Sequence, residues 1–350
     1  MNVRWYTPQI EAAQAYHHAR IVALYAGQTP RDVIAIAGKT FGSSHGLAGR
    51  NDIDLLKQPE VWLADVLADM AANAEQAADR VTFRPLAIEL DPLGVHFIDA
   101  ILGAHVSICG PQYWSDELEI DLADFTLPDL SNSAVLRQGL RLARLAVQVS
   151  QGRLFVTTPV LSCAINVAIN LFGQRLLEAM IERPEPARRV LRIVNAAIVA
   201  VTRAFFDAIP DEIQRNSVAE NRYAPPGLGQ IDGCATQLVS ARHYREFLAG
   251  LDREVLGLSP RGGLMHLCGT HAHHISTWKA MPQLGAIQIN DRAVNDLAAY
   301  FNGLREDQLL YVAPTPAFPV ERILAVTRGR RIVLQCALER PILTSTLGIG

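Results

Sequence analysis

Late in the chain, Gly262-Gly263-Leu264-Met265-His266-Leu267-Cys268-Gly269 places an imidazole and a thiol two residues apart in an apolar run. Side chains alternate faces along a strand, so positions i and i+2 point the same way. His266 and Cys268 are therefore expected to project together from one strand end. Arg331-Ile332-Val333-Leu334-Gln335-Cys336 is a second apolar run, and it also ends in a thiol. In a parallel sheet the two ends lie on one rim. One imidazole and two thiolates make a nitrogen–sulfur donor set that suits Zn2+. Three ligands, His266, Cys268 and Cys336, leave a fourth position for a substrate, which is the catalytic arrangement.

Other residues invite weaker readings. His271, His273 and His274 follow the motif as a further ligand or proton carrier, or as the partly solvated first turn of the next helix. Asp232 stands at an expected strand end, where it faces substrate or a ligand or else caps a helix; it is the candidate catalytic carboxylate. Asp291 is a similar case. Glu89 lies inside an apolar run, where an unpaired charge would be expensive. Cys109, Cys163 and Cys234 read as structural thiols, because buried free cysteines mostly behave as small hydrophobes. Gly38-Lys39-Thr40 lacks the glycine a phosphate loop needs five residues earlier, since position 33 is Val. The stretch 38–51 reads as a loop, with a lid role left open.

The elements that must position these residues follow from periodicity. Residues 1–80 look helical and rather polar. From residue 81, short β-rich runs alternate with helical periods. Expected strands are Leu86–Leu90, Ala104–Cys109, Leu154–Thr158, Gln230–Ala235, Leu264–Cys268, Ala286–Asn290, Leu309–Ala313 and Ile332–Cys336. Between them, Tyr244, Phe247, Leu248, Leu251 and Val255 recur at helical spacing, with Ser240 as N-cap. Val190, Val194, Ala197, Val201, Phe205 and Ala208 do the same after a Pro184-Glu185-Pro186 start. Near-continuous apolar strands alternating with helices mean a parallel sheet covered on both faces. About eight strands without a dinucleotide-type glycine fingerprint predict an α/β fold, a (β/α)8 TIM-like barrel over 81–350, with an N-terminal helical extension over 1–80 packed on it.

Composition sets outer bounds. Hydrophobic residues make up 49% and charged residues 19%, which excludes a disordered chain. A net charge of −3 gives no footing for nucleic acid or an anionic membrane. The apolar stretches 160–172 and 193–201 are too short to span a bilayer. Met-Asn-Val-Arg-Trp-Tyr has no leader-like layout, and the five scattered cysteines do not suggest a disulfide framework. A cytoplasmic setting is expected.

Several of these segments together resemble the uroporphyrinogen decarboxylase superfamily. The carriers are His266-Leu267-Cys268 with Cys336, Thr158-Pro159-Val160 with Phe172-Gly173, Gln230-Ile231-Asp232-Gly233, and Ser240 through Phe247. The resemblance covers roughly 81–350. It is more specific to the branch of zinc-dependent methyltransferases that work with corrinoid proteins and thiols, whose His-x-Cys is followed by a Cys about seventy to eighty residues on. Two features of the decarboxylase itself are missing: its Arg-Gln-Ala-Gly-Arg-Tyr stretch and its Phe-Ser-Asp motif. Without those arginines a polyanionic substrate would go uncompensated.

The resemblance implies a methyl or alkyl transferase. A small thiol would be activated on Zn2+ and methylated from a corrinoid carried by a partner protein, since no corrinoid-binding domain is evident here. The expected partners are thus a small-molecule thiol or methyl donor and a corrinoid protein; a homodimer is left open. Alternatives are a tetrapyrrole decarboxylase, a non-catalytic binding protein on a barrel scaffold, and, less favoured by two thiolates, zinc hydrolysis.

Overall fold

The computed structural model describes residues 3–37, 56–109, 112–216 and 222–336. The loop at 38–51 discussed above lies outside the described residues. Twelve strands are found among them: β1 (Ile34–Ala37), β2 (Thr82–Phe83), β3 (Ala87–Ile88), β4 (Val106–Cys109), β5 (Gln112–Ser115), β6 (Phe155–Thr157), β7 (Gln214–Arg215), β8 (Gly229–Asp232), β9 (Gly263–Cys268), β10 (Leu284–Asn290), β11 (Leu309–Val312) and β12 (Ile332–Cys336). The fold is α/β. Its centre is a seven-stranded parallel sheet in the order β2-β1-β12-β11-β10-β9-β8. A second parallel sheet runs β3-β6-β7, and β4 and β5 form an antiparallel hairpin.

Of the expected architecture the α/β class and the parallel sheet are found, and one strand assignment is corrected. No sheet closes on itself among the described residues. The run Ala104–Cys109, expected as a strand of the parallel sheet, is one arm of the hairpin. Its residues Val106–Cys109 are half-buried to exposed, so they lack the two-faced burial a parallel strand requires. A strand the sequence left unmarked, β1, pairs with β2 on one side and β12 on the other. The first eighty residues therefore contribute to the central sheet as well as helices.

The helices form where their patterns placed them. Pro184–Ala208 buries Val190, Val194, Ala197, Val201 and Phe205. Ser240 caps the next helical segment, its Oγ accepting from the His243 amide at 3.2 Å. None of the described helices is long and apolar enough to cross a membrane.

Each face of the central sheet has its own core. One holds Leu264, Ala286, Leu309, Tyr311, Val333 and Ile34. The other holds Met265, Leu267, Ile287, Ile289, Val312, Leu334 and Cys336 and continues into the helices. Burial on both faces explains why β11 and β12 read as near-continuous apolar runs.

Candidate metal centre

The centre is assembled where β8 and β9 end. Gly262 begins the approach with φ at 72°, and a Cβ there would stand 2.0 Å from the Gln283 carbonyl oxygen. Only glycine can turn the chain into β9 that closely against its neighbour. At the far end Gly269, with φ at 91°, lets the backbone leave past the Gln237 side chain. Between them His266 and Cys268 share one face, as the alternation requires. His266 is buried and Cys268 is half-buried.

Cys234 completes the group. It opens the 3-10 turn Cys234–Leu238, which follows Gly233 past the end of β8. One ligand atom each from Cys234, His266 and Cys268 lies within 4.8 Å of the others. The Cys268 sulfur sits 3.1 Å from His266 Nε2. His266 Nδ1–H donates to Gln288 Oε1 at 2.5 Å, which fixes the tautomer and aims the Nε2 lone pair at the sulfurs. Gln288 is the residue paired with His266 across β10, and it is buried. Asn290, paired with Cys268, directs its amide nitrogen toward that sulfur at 3.9 Å. The adjacent Cys268 sulfur, then burial, then Asp232 push the Cys234 thiol well above its ordinary pKa. Two thiols crowded together resist deprotonation unless a cation joins them, so this donor set fits Zn2+.

The turn bearing Cys234 is held on several sides. Asn166 Oδ1 accepts from the Ala235 amide at 2.8 Å. Thr236 Oγ1 donates to the Gly233 carbonyl at 2.7 Å and lies 3.0 Å from His271 Nδ1. His271 Nε2–H donates to the Cys268 carbonyl at 2.7 Å, and His274 Nε2–H to the Thr236 carbonyl at 2.9 Å. Burial lowers both histidines to a pKa of about 4, so they are neutral at pH 7. They are fully buried rather than partly solvated, while His273 alone of the three is exposed. The turn after the motif packs inward because these rings supply the partners that its backbone needs.

Asp232 is paired with His266 in register, so it faces the same side. It is buried and forms an ion pair with Arg222, itself buried. Gln230 Nε2 also donates to it at 3.2 Å, and Asn216 holds both Gln230 Oε1 and the Arg222 carbonyl at 2.9 Å. Asp232 is thus a fixed, compensated anion. Glu89 is fully buried, and Asp291 is exposed beside Arg292.

Cys336 is set apart from this group. Register explains why: Leu334 is aligned with Val312, Val312 with Ile289, and Ile289 with Leu267. Cys336 lies two residues beyond Leu334 and so shares the face of Leu267, opposite to Cys268. It belongs to the large apolar core, its sulfur 3.9 Å from the Leu334 carbonyl oxygen, and burial pushes its thiol pKa up to about 12 against the opposing charge of Arg84. Its strand neighbour Gln335 has the parity of His266 instead.

No family model and no curated relative matches the sequence. The fold is similar to that of a methyltransferase from Methanosarcina mazei, with a TM-score of 0.65. The likeness covers 95% of this chain and 96% of the other at 13% identity, so what it establishes is a shared fold.

Sequence reasoning did not single out Gln288 or Thr236, read Cys234 as a structural thiol where the structure places it in the donor group, and took His271 only as a further ligand, proton carrier or solvated helix turn. Cys234 follows a strand end directly, as Cys268 and Cys336 occupy theirs. That position was its only signal, and it became meaningful once β8 was known to lie beside β9.

Proposed function

We propose that the chain is a zinc-dependent methyl or alkyl transferase of the kind found in the uroporphyrinogen decarboxylase superfamily. Its substrate would be a small thiol, and its methyl donor a corrinoid held by a partner protein. The observation that carries this reading is the convergence of Cys234, His266 and Cys268, with His266 locked by Gln288 in the ligating tautomer. Zinc held there would draw an incoming thiol into its thiolate form at neutral pH and present it to the methyl group. Gln288 and Asn290 orient the ligands. Asp232, compensated by Arg222, places a fixed polar group beside them that can position the substrate. Decarboxylation of a polycarboxylate gains no support from this face, because the Arg222 guanidinium is committed to Asp232.

A closed eight-stranded barrel belongs to the same proposal. It is supported by a parallel bridge between Ser162 and Asp232, with backbone bonds of 2.9 Å on either side, which links the segment after β6 to β8. At the other edge, β3 follows β2 after three residues and pairs with β6. The described residues ahead of β2 would then supply one barrel strand, β1.

A second reading keeps Cys336 as the third donor. It is favoured by the place of Cys336 at the carboxyl end of a strand in the same parallel sheet, and it requires that side chain to change faces. Metal analysis of the purified protein separates the two. Near-stoichiometric zinc is expected in the wild type and in Cys336→Ala, with zinc lost from Cys234→Ala. The reverse pattern in the two variants would support Cys336. A wild type that binds no zinc would sink both readings. Methyl transfer from methylcobalamin to small thiols should follow the zinc content.

A further inference from the structure

We infer that His271 and Thr236 are positioning residues that tie together the two segments bearing the metal donors. This rests on the zinc reading above. Cys234 belongs to a turn beyond β8, whereas His266 and Cys268 belong to β9. A rigid tetrahedral site needs the sulfur from the turn held at a fixed place relative to the strand. The backbone supplies one such tie, the Gly233 amide donating to the His266 carbonyl at 2.8 Å.

The imidazole of His271 supplies the other. One nitrogen donates to the Cys268 carbonyl at 2.7 Å, and the other meets the Thr236 hydroxyl at 3.0 Å. In this tautomer that nitrogen is an acceptor, so the single hydroxyl proton is shared between it and the Gly233 carbonyl, 2.7 Å away and immediately before Cys234. The ring and the Thr236 hydroxyl together therefore span from the residue before one sulfur to the residue carrying the other. His271 and Thr236 are both fully buried, so water cannot replace either partner without opening the core. Asn166, bonded to the Ala235 amide, braces the turn from its other side. Neither His271 nor Thr236 contributes an atom to the donor group, so their effect on the metal is indirect. Partners of this kind commonly alter metal affinity by about 10- to 100-fold.

The test compares the full-length wild type with Thr236→Val, Thr236→Ser, His271→Ala and His271→Gln. Zinc affinity is measured by chelator competition. Thiolate-to-metal absorption is measured after loading with Co2+, and thermal stability is recorded alongside. Thr236→Val and His271→Ala are expected to bind zinc at least about tenfold more weakly and to lose part of the thiolate-to-cobalt band. Thr236→Ser, which keeps the hydroxyl, should match the wild type. A purely structural role would lower the melting temperature while leaving affinity and spectrum of the folded protein unchanged, and that result would overturn the inference. His271→Gln, which retains a donor, guards against failure of the alanine variant to fold: wild-type affinity in both His271→Gln and Thr236→Val likewise overturns it. Absence of metal binding by the wild type would instead remove the zinc reading on which the inference stands.

Discussion

The ends of β9 and β12 look alike in sequence and differ in structure. Each is an apolar strand of the same parallel sheet, and each terminates in cysteine. Around Cys268 the neighbours are His266, Cys234, Gln288 and Asn290, and behind them lies a polar layer of Thr236, His271, His274, Tyr244 and Asp252. Cys336 lies in the large apolar core beside Leu334, with the Arg84 guanidinium as the charge that acts on it. The difference is one of parity. A motif written His-x-Cys declares which face its cysteine shares, while an isolated strand-end cysteine does not, and a shift of one residue exchanges the faces.

The largest contrast to seek is between His266→Ala and Leu334→Ala. Loss of the imidazole should abolish metal binding, read as zinc stoichiometry, with the fold retained. Loss of the leucine should remove about 2–5 kcal/mol of stability by denaturant unfolding while the folded protein still binds zinc. Metal retained by His266→Ala, or lost from folded Leu334→Ala, would break the comparison.

A smaller effect is expected one step further from the metal. Gln288→Leu deletes the acceptor that orients His266 and should weaken zinc binding by about tenfold or more, without changing the ligand count. Unchanged affinity would mean that β9 alone orients the ring.

The smallest effect probes the polar layer. Burial raises the Asp252 carboxyl to a pKa of about 7, against the partly opposing bond donated by the Tyr244 hydroxyl at 2.7 Å. The ordinary value for such a carboxyl is 3.8, so between about pH 4 and 7 the folded state holds a proton that the unfolded chain has released. Stability contributed by this group is therefore present at low pH and lost as pH rises toward 7, at no more than about 1.4 kcal/mol per pH unit. Asp252→Asn should flatten that part of the melting-temperature profile; an identical slope in wild type and variant would place the titration elsewhere. No comparable dependence is expected from Leu334 and its apolar neighbours.

Much of the frame was legible in the sequence because it rests on patterns of short range. The runs that became β9, β10, β11 and β12 are long enough and apolar enough to be found from composition, and the Ser240 cap follows from local hydrogen bonding. The pairing of His266 with Cys268 follows from alternation alone. Strand β1 escaped notice, since Ile-Ala-Ile-Ala is only four residues long and follows a polar helical stretch. Ala104–Cys109 misled because β propensity does not tell a hairpin arm from a covered parallel strand. Cys234 and the side Cys336 faces were hidden for another reason. Both depend on which strands become neighbours and in what register, and neither relation is written in any single segment.

The position of β1 also has a consequence in time. It lies between β2 and β12, so a strand from near the start of the chain waits for one from near its end. On a ribosome, β8, β9 and β10 emerge earlier and can pair with one another before β12 exists. Pairing between distant segments is slow, because a large loop must close before any contact rewards it. During synthesis the edge of β1 facing β12 stays open, and an apolar strand left in that condition is prone to join the wrong partner. The donor residues of β8 and β9 can thus be brought together well before the sheet that carries them is complete.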